Sequence, residues 1–312
     1  MRIVAGIGAV AGAAGLGLSV LLLAAFFGSL WWILDLVADF RPQGTLALLV
    51  VGCVALAGRW KAPAIVTLAS AVVSGSVVVP YFLGSGEGIA EGSPTIEVMS
   101  FNVGISNPNR AQVAAFIADE DPDVVFIFES SFEWEDTIRA ADLPLQIITI
   151  VPRERIAGVT VLAKPGVLPR AIDPGIGPEV AALSVDLGDR RIEVVGVHPP
   201  SPTTSGRSAA RDRIMAAAGD WVATREVDVV VVGDLNATPW SHAFRSMRGR
   251  GGLVDTLRGS GLQPSWPSGW GPLMVPIDHV LHTAGLGAQD RRTGPAFESA
   301  HRPVLVTIGK AG

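Results

Sequence analysis

Seven polar side chains in this sequence share one setting, because each borders a run of apolar residues. They are Asn102 in SFNVG, Glu129 in FIFESS, His198 in VVGVHPP, Asp234 and Asn236 in GDLNATP, Asp278 in PIDHVL and His301 in SAHRPV. Carboxylate and amide oxygens are hard ligands that suit a cation such as magnesium. An amide can also touch a phosphate without adding negative charge, and an imidazole titrates near neutrality and can hold or pass a proton.

The stretch VDVVVVGDLNATP at 227–239 shows why the setting matters. Asn236-Ala237-Thr238 has the form of a glycosylation acceptor, but Pro239 follows at once and three-residue matches are common by chance. A calcium loop starting at Asp234 would need Gly at its sixth position and Glu at its twelfth. Those positions hold Pro239 and Arg245. What remains is a buried strand delivering Asp234 and Asn236 to the rim of a sheet, where open α/β sheets place their ligands.

The elements that must position this set alternate between strand and helix. Residues 95–103 read as a strand, and a helix over about 109–120 follows, with Asn107 as its cap and Ala114, Ile117 and Ala118 at helical spacing. A buried strand at 123–129 ends in Glu129. Further strands are expected near 146–151, 157–163, 180–187 and 191–198. A helix over about 207–225 carries Ile214, Ala217, Ala218, Trp221 and Val222 on one side. The Asp234 strand, a short helix after Pro239, and strands at 277–282, 287–292 and 303–308 complete the order. DVVFIFES at 123–130 and DVVVVGDL at 228–235 echo each other, each preceded by a helix. Two related halves packed as facing sheets would bring their acids to one edge.

Ahead of this domain the composition changes. The chain is 49% hydrophobic and only 17% charged, and the apolar excess lies in three uncharged stretches at 3–34, 42–58 and 62–86. Spans of about 17 to 25 apolar residues cross a bilayer, so three transmembrane helices are expected over 1–84. A signal-peptide core is shorter, about 7 to 15 residues. Arg2, Arg59 and Lys61 against Arg41 place the N-terminus inside and the domain outside the cytoplasm. The only cysteine, Cys53, lies in the second stretch, so the exterior has no disulfide to form. Residues 85–94 read as a Gly-rich linker and 95–310 as the folded domain. From residue 87 onward there are 20 Lys and Arg against 27 Asp and Glu, a poor surface for grasping nucleic acid through its phosphates.

In this order the segments around Asn102, Glu129, His198, Asp234, Asn236, Asp278 and His301 resemble the endonuclease/exonuclease/phosphatase family, also called DNase I-like, over about residues 95–308. The resemblance implies an α/β fold, a four-layer αββα sandwich preceded by the three transmembrane helices. It also implies a divalent-metal site at one end of the two sheets. The front of the chain is similar to a bacterial membrane-anchored subgroup that includes proteins associated with glycopeptide resistance. On the family pattern Glu129 and Asn102 hold Mg2+ or Mn2+, and Asn102 and Asn236 bind the substrate phosphate. Asp234 orients the attacking water, His198 and His301 handle protons, and Asp278 pairs with His301. His279 and His282 read as structural, and His242 has no assigned role.

One departure stands out. Family members commonly carry Asp before the last His, whereas this chain has Ser299-Ala300-His301, and Gly104 follows Asn102 by two with no ligand to offer. The expected function is that of a membrane-anchored, extracytoplasmic, metal-dependent phosphoesterase. Its substrate would be a phosphate or pyrophosphate ester on a lipid or cell-envelope carrier, with the bilayer as partner and nucleic acid disfavoured. A secreted-side nuclease or phospholipase-type phosphodiesterase is the enzymatic alternative, and a catalytically weakened phosphate-binding membrane protein the non-enzymatic one. The loop SWPSGWGPLMVP at 265–276, with Trp266, Trp270, Leu273 and Met274, is expected either to wall the site or to touch the membrane interface.

Overall fold

A computed structural model describes residues 2–84, 88–151 and 158–312. Four helices come first: α1 (Arg2–Ala24), α2 (Trp32–Asp39), α3 (Arg41–Ala57) and α4 (Lys61–Gly75). The domain that follows runs β1 (Thr95–Asn102), α5 (Arg110–Glu120), β2 (Val124–Ser130), α6 (Phe132–Ala140), β3 (Gln146–Val151) and β4 (Gly158–Ala163). It continues with β5 (Arg170–Ile172), β6 (Val180–Leu187), β7 (Arg190–Val197), α7 (Ser205–Ala223), β8 (Val229–Asp234) and α8 (His242–Arg250). It closes with β9 (Val254–Asp255), β10 (Asp278–His282), β11 (Leu286–Thr293) and β12 (Val304–Lys310).

The strands form two mixed six-stranded sheets, in the orders β11-β12-β1-β2-β4-β3 and β5-β6-β7-β8-β10-β9. Each contains one parallel pair joined through a helix, β1 with β2 across α5 and β7 with β8 across α7. Strand alternation explains the layering. Val124, Phe126 and Phe128 of β2 point into the space between the sheets, against Leu183, Val194 and Val230 of the second sheet. Val125 and Ile127 point the other way, onto Val113 and Ile117 of α5 and Trp134 and Ile138 of α6. On the far side, Val229 and Val231 of β8 meet Met215 and Val222 of α7 and Phe244 of α8. Strands buried on both faces read as continuous apolar runs, which is why β2 and β8 show no alternation in sequence. The domain is therefore an αββα sandwich, as expected.

Some local expectations shift. Asn107 does not cap α5; its Oδ1 accepts the Asn109 N–H at 2.8 Å and its Nδ2 donates to the Val103 carbonyl, so it forms a turn two residues before the helix. Val113 rather than Ala118 completes the buried face of α5. Residue 157 of the expected 157–163 strand lies outside the described residues, as do 85–87 of the expected linker. Residues 88–90 run beside β12, with the Ala90 N–H donating to the Lys310 carbonyl and Ile89 bridged to Ala311.

The helical front departs most from the expectation of three spans. Among the described residues, only Val4–Phe27 is by itself long and apolar enough to cross a membrane. The first apolar stretch breaks at 28–31, and α2 and α3 reach the required length only as a pair bent by 71°. α4 has 15 residues, short of the roughly 20 that span a bilayer. Within α2, Asp35 and Asp39 direct their side chains to Arg211 and Thr238 of the domain. α1, α3 and α4 pack against one another, and Gly8 and Gly58 permit the closest approach, since a Cβ on Gly8 would stand 2.6 Å from the Gly58 Cα. Their outer faces remain apolar and exposed, with Val10, Val20, Ile65 and Val72 each at least 65% accessible.

Candidate active site

The topology brings six strand ends to one edge. β1, β2, β7 and β8 run the same way relative to their helices and deliver residues at or just past their carboxyl ends: Asn102, Glu129, His198 and Asp234. β10 is antiparallel to β8, so its first residue, Asp278, sits directly opposite Asp234. β12 is antiparallel to β1, so His301, three residues before it, reaches the same edge. The backbone is specialised here. Glu129 sits at a register shift of β2 with φ +57°, and Asn236 adopts φ +49°. Gly233 precedes Asp234 at φ +148°, and a Cβ there would lie 2.0 Å from the Val197 carbonyl oxygen, so glycine is required for β8 to lie beside the end of β7.

All seven side chains expected from the sequence converge. Asn102 Nδ2 donates to Glu129 Oε1 at 3.1 Å and to Asp234 Oδ2 at 2.9 Å, joining the two sheets across their edge. His198 Nε2 lies 3.5 Å from Glu129 Oε1, and its Nδ1 lies 3.2 Å from the Asp234 carbonyl oxygen. His301 Nδ1 is 3.0 Å from Asp278 Oδ2, and its Nε2 points toward Asp234 Oδ2 at 3.7 Å. Asn236 donates its backbone N–H to Asp234 Oδ1 and its side chain to the Pro199 carbonyl. Ser299 Oγ donates to the Asn102 carbonyl and accepts the His301 N–H, so it braces both. Asn102, Glu129, His198, Asp234, Asn236 and His301 floor a cavity of about 660 Å³, whose walls include Ile105, Glu179, Arg207, Trp266 and Ala300, and Asp278 stands behind it, bonded to His301.

Electrostatics sort the groups. Glu129 is held down to about 2, chiefly by its hydrogen bond with His198 and also by Asn102, against the burial that opposes its charge. Burial works against a charge on His301, yet Asp278 and then Asp234 push it up to about 9, which makes it a cation at neutral pH. Burial likewise opposes charge on His198, and Glu129 and Asp234 raise it nonetheless. Burial raises Asp234, His301 lowers it and the facing Asp278 raises it again. Two carboxylates directly opposite each other in a sheet repel, and His301 between them supplies the compensating charge.

A divalent cation has two candidate positions. Ligand atoms of Asp234, Asp278 and His301 lie within 4.8 Å of one another. In that cluster Asp278 Oδ2 is taken up by His301 Nδ1, while Asp278 Oδ1 is buried with no hydrogen-bond partner. Glu129 is a third exposed and opens onto the cavity beside Asn102. Magnesium keeps most of its waters and takes one or two protein carboxylates, so the Glu129 and Asn102 side fits a hydrated ion. Ala300 presents only a methyl group to that space.

His279 and His282 do not join the site. His279 is fully buried, bonded to the Ala237 carbonyl at 2.8 Å and packed on Phe244, and burial lowers its basicity. The loop at 265–276 divides: Trp266 walls the cavity, Leu273 and Met274 line a groove against α3, and Trp270 is exposed. Sequence reasoning missed Arg207, the one Lys or Arg among the described cavity-lining residues. It also missed Asp35, Asp39 and Arg211. Arg211 Nη1 donates to the Asn236 carbonyl and Nη2 to Asp35 Oδ2. Asp39 Oδ1 accepts from Thr238 through both N–H and hydroxyl. The available signal was that Asp35 and Asp39 are the only acids before Glu87, four apart on an otherwise apolar segment.

Comparison with known proteins bears on this geometry. The sequence model described as Endonuclease/Exonuclease/phosphatase family matches residues 99–301. Similar solved structures include TDP2 of D. rerio complexed with single strand DNA product, at TM-score 0.57 and 13% identity, covering 69% of this chain and 99% of that one. An endonuclease/exonuclease/phosphatase of Bacteroides vulgatus matches at TM-score 0.54 and 15% identity, covering 69% and 99%. The human Nocturnin catalytic domain with bound sulfate matches at TM-score 0.51 and 13% identity, covering 72% and 97%. No curated protein sequence matches the chain. At these identities the structures speak to the fold alone.

Proposed function

The chain belongs to the endonuclease/exonuclease/phosphatase family, whose members hydrolyse phosphoester bonds, and from that premise we propose that it is a metal-dependent phosphoesterase held at a membrane by its N-terminal helices. Its domain lies outside the cytoplasm, and its substrate is a phosphate or pyrophosphate ester on a lipid or another cell-envelope carrier. The observation that carries the hydrolytic reading is the convergence of Asn102, Glu129, His198, Asp234, Asn236 and His301 on one cavity, with Asp278 bonded to His301 behind it.

A magnesium or manganese ion at Glu129 and Asn102 would supply Lewis-acid polarisation of a phosphoryl oxygen and draw off developing negative charge. The remaining roles belong to the chain. Asp234, raised by burial, accepts a proton from the attacking water and fixes its lone pair toward phosphorus. Protonated His301, oriented by Asp278, donates a hydrogen bond to a phosphoryl oxygen through Nε2. The Asn236 and Asn102 amides orient the phosphate without repelling it. His198, whose Nδ1 meets the Asp234 carbonyl, would give a proton to the leaving oxygen.

Support for a lipid carrier comes from a groove of about 820 Å³ between α3, the turn after α4 and the 262–274 segment. It is lined by Leu46, Val50, Val79, Phe82, Leu273 and Met274 among others. One loop serves both spaces, with Trp266 at the cavity and Leu273 at the groove. The apolar outer faces of α1, α3 and α4 support a bilayer setting. A nuclease is the second reading, favoured by the TDP2 neighbour seen with single strand DNA product. The acidic balance of the domain weighs against it.

Full-length protein in detergent or nanodiscs should release phosphate from, or cleave, a simple phosphate ester only when magnesium or manganese is present. Glu129→Ala and His301→Ala should each abolish that activity. Turnover of lipid-linked pyrophosphate, phospholipid and DNA would then be compared, and DNA as clearly the best substrate would sink the envelope-lipid proposal. For orientation, a reporter fused after Lys310 that worked only in the cytoplasm would reverse the topology.

A further inference from the structure

The two acids of α2 leave the helical layer and bond the segment that follows β8. Asp35, 3% exposed, forms a 2.7 Å ion pair with Arg211, 1% exposed, and also accepts the His242 N–H. Arg211 carries the contact onward, because its Nη1 donates at 3.0 Å to the carbonyl of Asn236. One helical turn later, Asp39 Oδ1 accepts Thr238 Oγ1 at 2.8 Å and the Thr238 N–H at 3.2 Å, while its carbonyl accepts Trp240 Nε1. Every second residue from 236 to 242 is thus tied, directly or through Arg211, to α2.

We propose that α2 is a working part of the active site, and that Asp35, Asp39 and Arg211 are positioning residues for Asn236 and the loop behind it. Asn236 holds a left-handed conformation at φ +49°, which asparagine tolerates better than other non-glycine residues, and its three polar groups are each held by a partner. Within the domain the Asn236 N–H and side chain are fixed by Asp234 and Pro199. Its carbonyl is fixed by Arg211, a buried cation that needs a buried counter-charge. Arg211 has two: Asp212, which is 43% exposed, and Asp35, which is not exposed and comes from outside the domain. The site is therefore complete only when the helical front is docked, and a phosphoesterase built this way works only next to its own anchor. A hydrophobic contact of Tyr81, Trp240 and Leu257 closes the same interface without touching the loop's polar groups at 236 and 238.

The test uses the full chain. In Asp35→Asn and Asp39→Asn proteins, amide exchange over 236–242 should quicken by roughly ten- to a hundredfold, the weight of one or two charge-assisted hydrogen bonds. Exchange in β1 and β6 should stay at the wild-type rate, which establishes that the variants are folded. On a soluble phosphate ester, kcat should fall by about a hundredfold, as expected when a reacting group is misplaced by an ångström, with KM changed far less. Leu257→Ala, which loosens the same interface apolarly, should lower the melting temperature and leave kcat as it was. Wild-type exchange and wild-type kcat in the folded Asp35→Asn and Asp39→Asn proteins would overturn the inference, and so would an equal kcat loss in Leu257→Ala. The kinetic arm rests on the hydrolytic reading above. If wild type turns over no phosphate ester, that reading fails, and the exchange arm alone decides whether α2 holds the loop.

Discussion

Ala300 is where the site's chemistry is least supplied. It lines the cavity with a methyl group, one residue before His301, and leaves Glu129 as the carboxylate open to an ion. Affinity for a hard cation rises with the number of charged oxygen ligands. Ala300→Asp should therefore tighten manganese or magnesium binding by about tenfold or more, measured by calorimetric titration. Unchanged affinity would place the ion away from the Glu129 side, toward Asp234 and Asp278. His301 gives a second prediction. Its ordinary value is 6.5 and the fold raises it to about 9, so its contribution to stability is complete below pH 6.5 and is lost as pH climbs through about 9. In metal-free protein the melting temperature should fall across that window, and His301→Asn should flatten the decline. A variant that declines as steeply as wild type would show that the pair with Asp278 and Asp234 does not carry the linkage. That these seven side chains come together was legible in the sequence because each borders an apolar run that forms a strand. Arg207, Arg211 and Asp35 were not, since a charge on a helix surface looks solvated until its partner is known.

At the level of elements, β8 shows how narrowly the edge is built. Its last residues pass so close to β7 that Gly233 has no room for a side chain. Gly233→Ala should cost about 2 kcal/mol or more, since it adds both a clash with backbone and a positive-φ penalty. Chemical denaturation should show a lower midpoint at unchanged slope, and a midpoint equal to wild type would refute the constraint. Most elements of the domain could be read in advance because strands buried on both faces leave long apolar runs and α7 leaves a helical stripe. Three elements were not anticipated, for identifiable reasons. α6 (FEWEDTIRA) buries only Trp134 and Ile138, while Phe132 is exposed and most of the rest is polar, too sparse a stripe to register. β5 and β9 have three and two residues, and pairing with a neighbour, not pattern, makes them strands. The helical front misled in the opposite sense. Hydropathy counts apolar residues but is blind to the break at 28–31 and to the bend between α2 and α3, and the acids of α2 find their partners some 200 positions away in sequence.

At the scale of the whole molecule, the polar cavity and the apolar groove are two spaces served by one loop. If the substrate carries a long hydrocarbon chain, the groove offers that chain a place while the phosphate sits above Asp234. Each methylene moved from water into such a groove contributes ~0.8 kcal/mol, about fourfold in affinity. KM for a series of alkyl phosphates presented as monomers should then fall steeply with chain length, and level off once the groove is filled. Val79→Trp and Leu46→Trp place indoles in the groove at exposed positions that do not line the polar cavity. Both should raise KM for the long-chain members by about tenfold, roughly two methylenes' worth of lost contact. Constants for a short soluble ester should be those of wild type. A KM indifferent to chain length, with turnover intact, would separate the hydrolytic chemistry from the lipid proposal. The groove would then be a seam between anchor and domain, and the substrate would have to be sought among soluble phosphate esters.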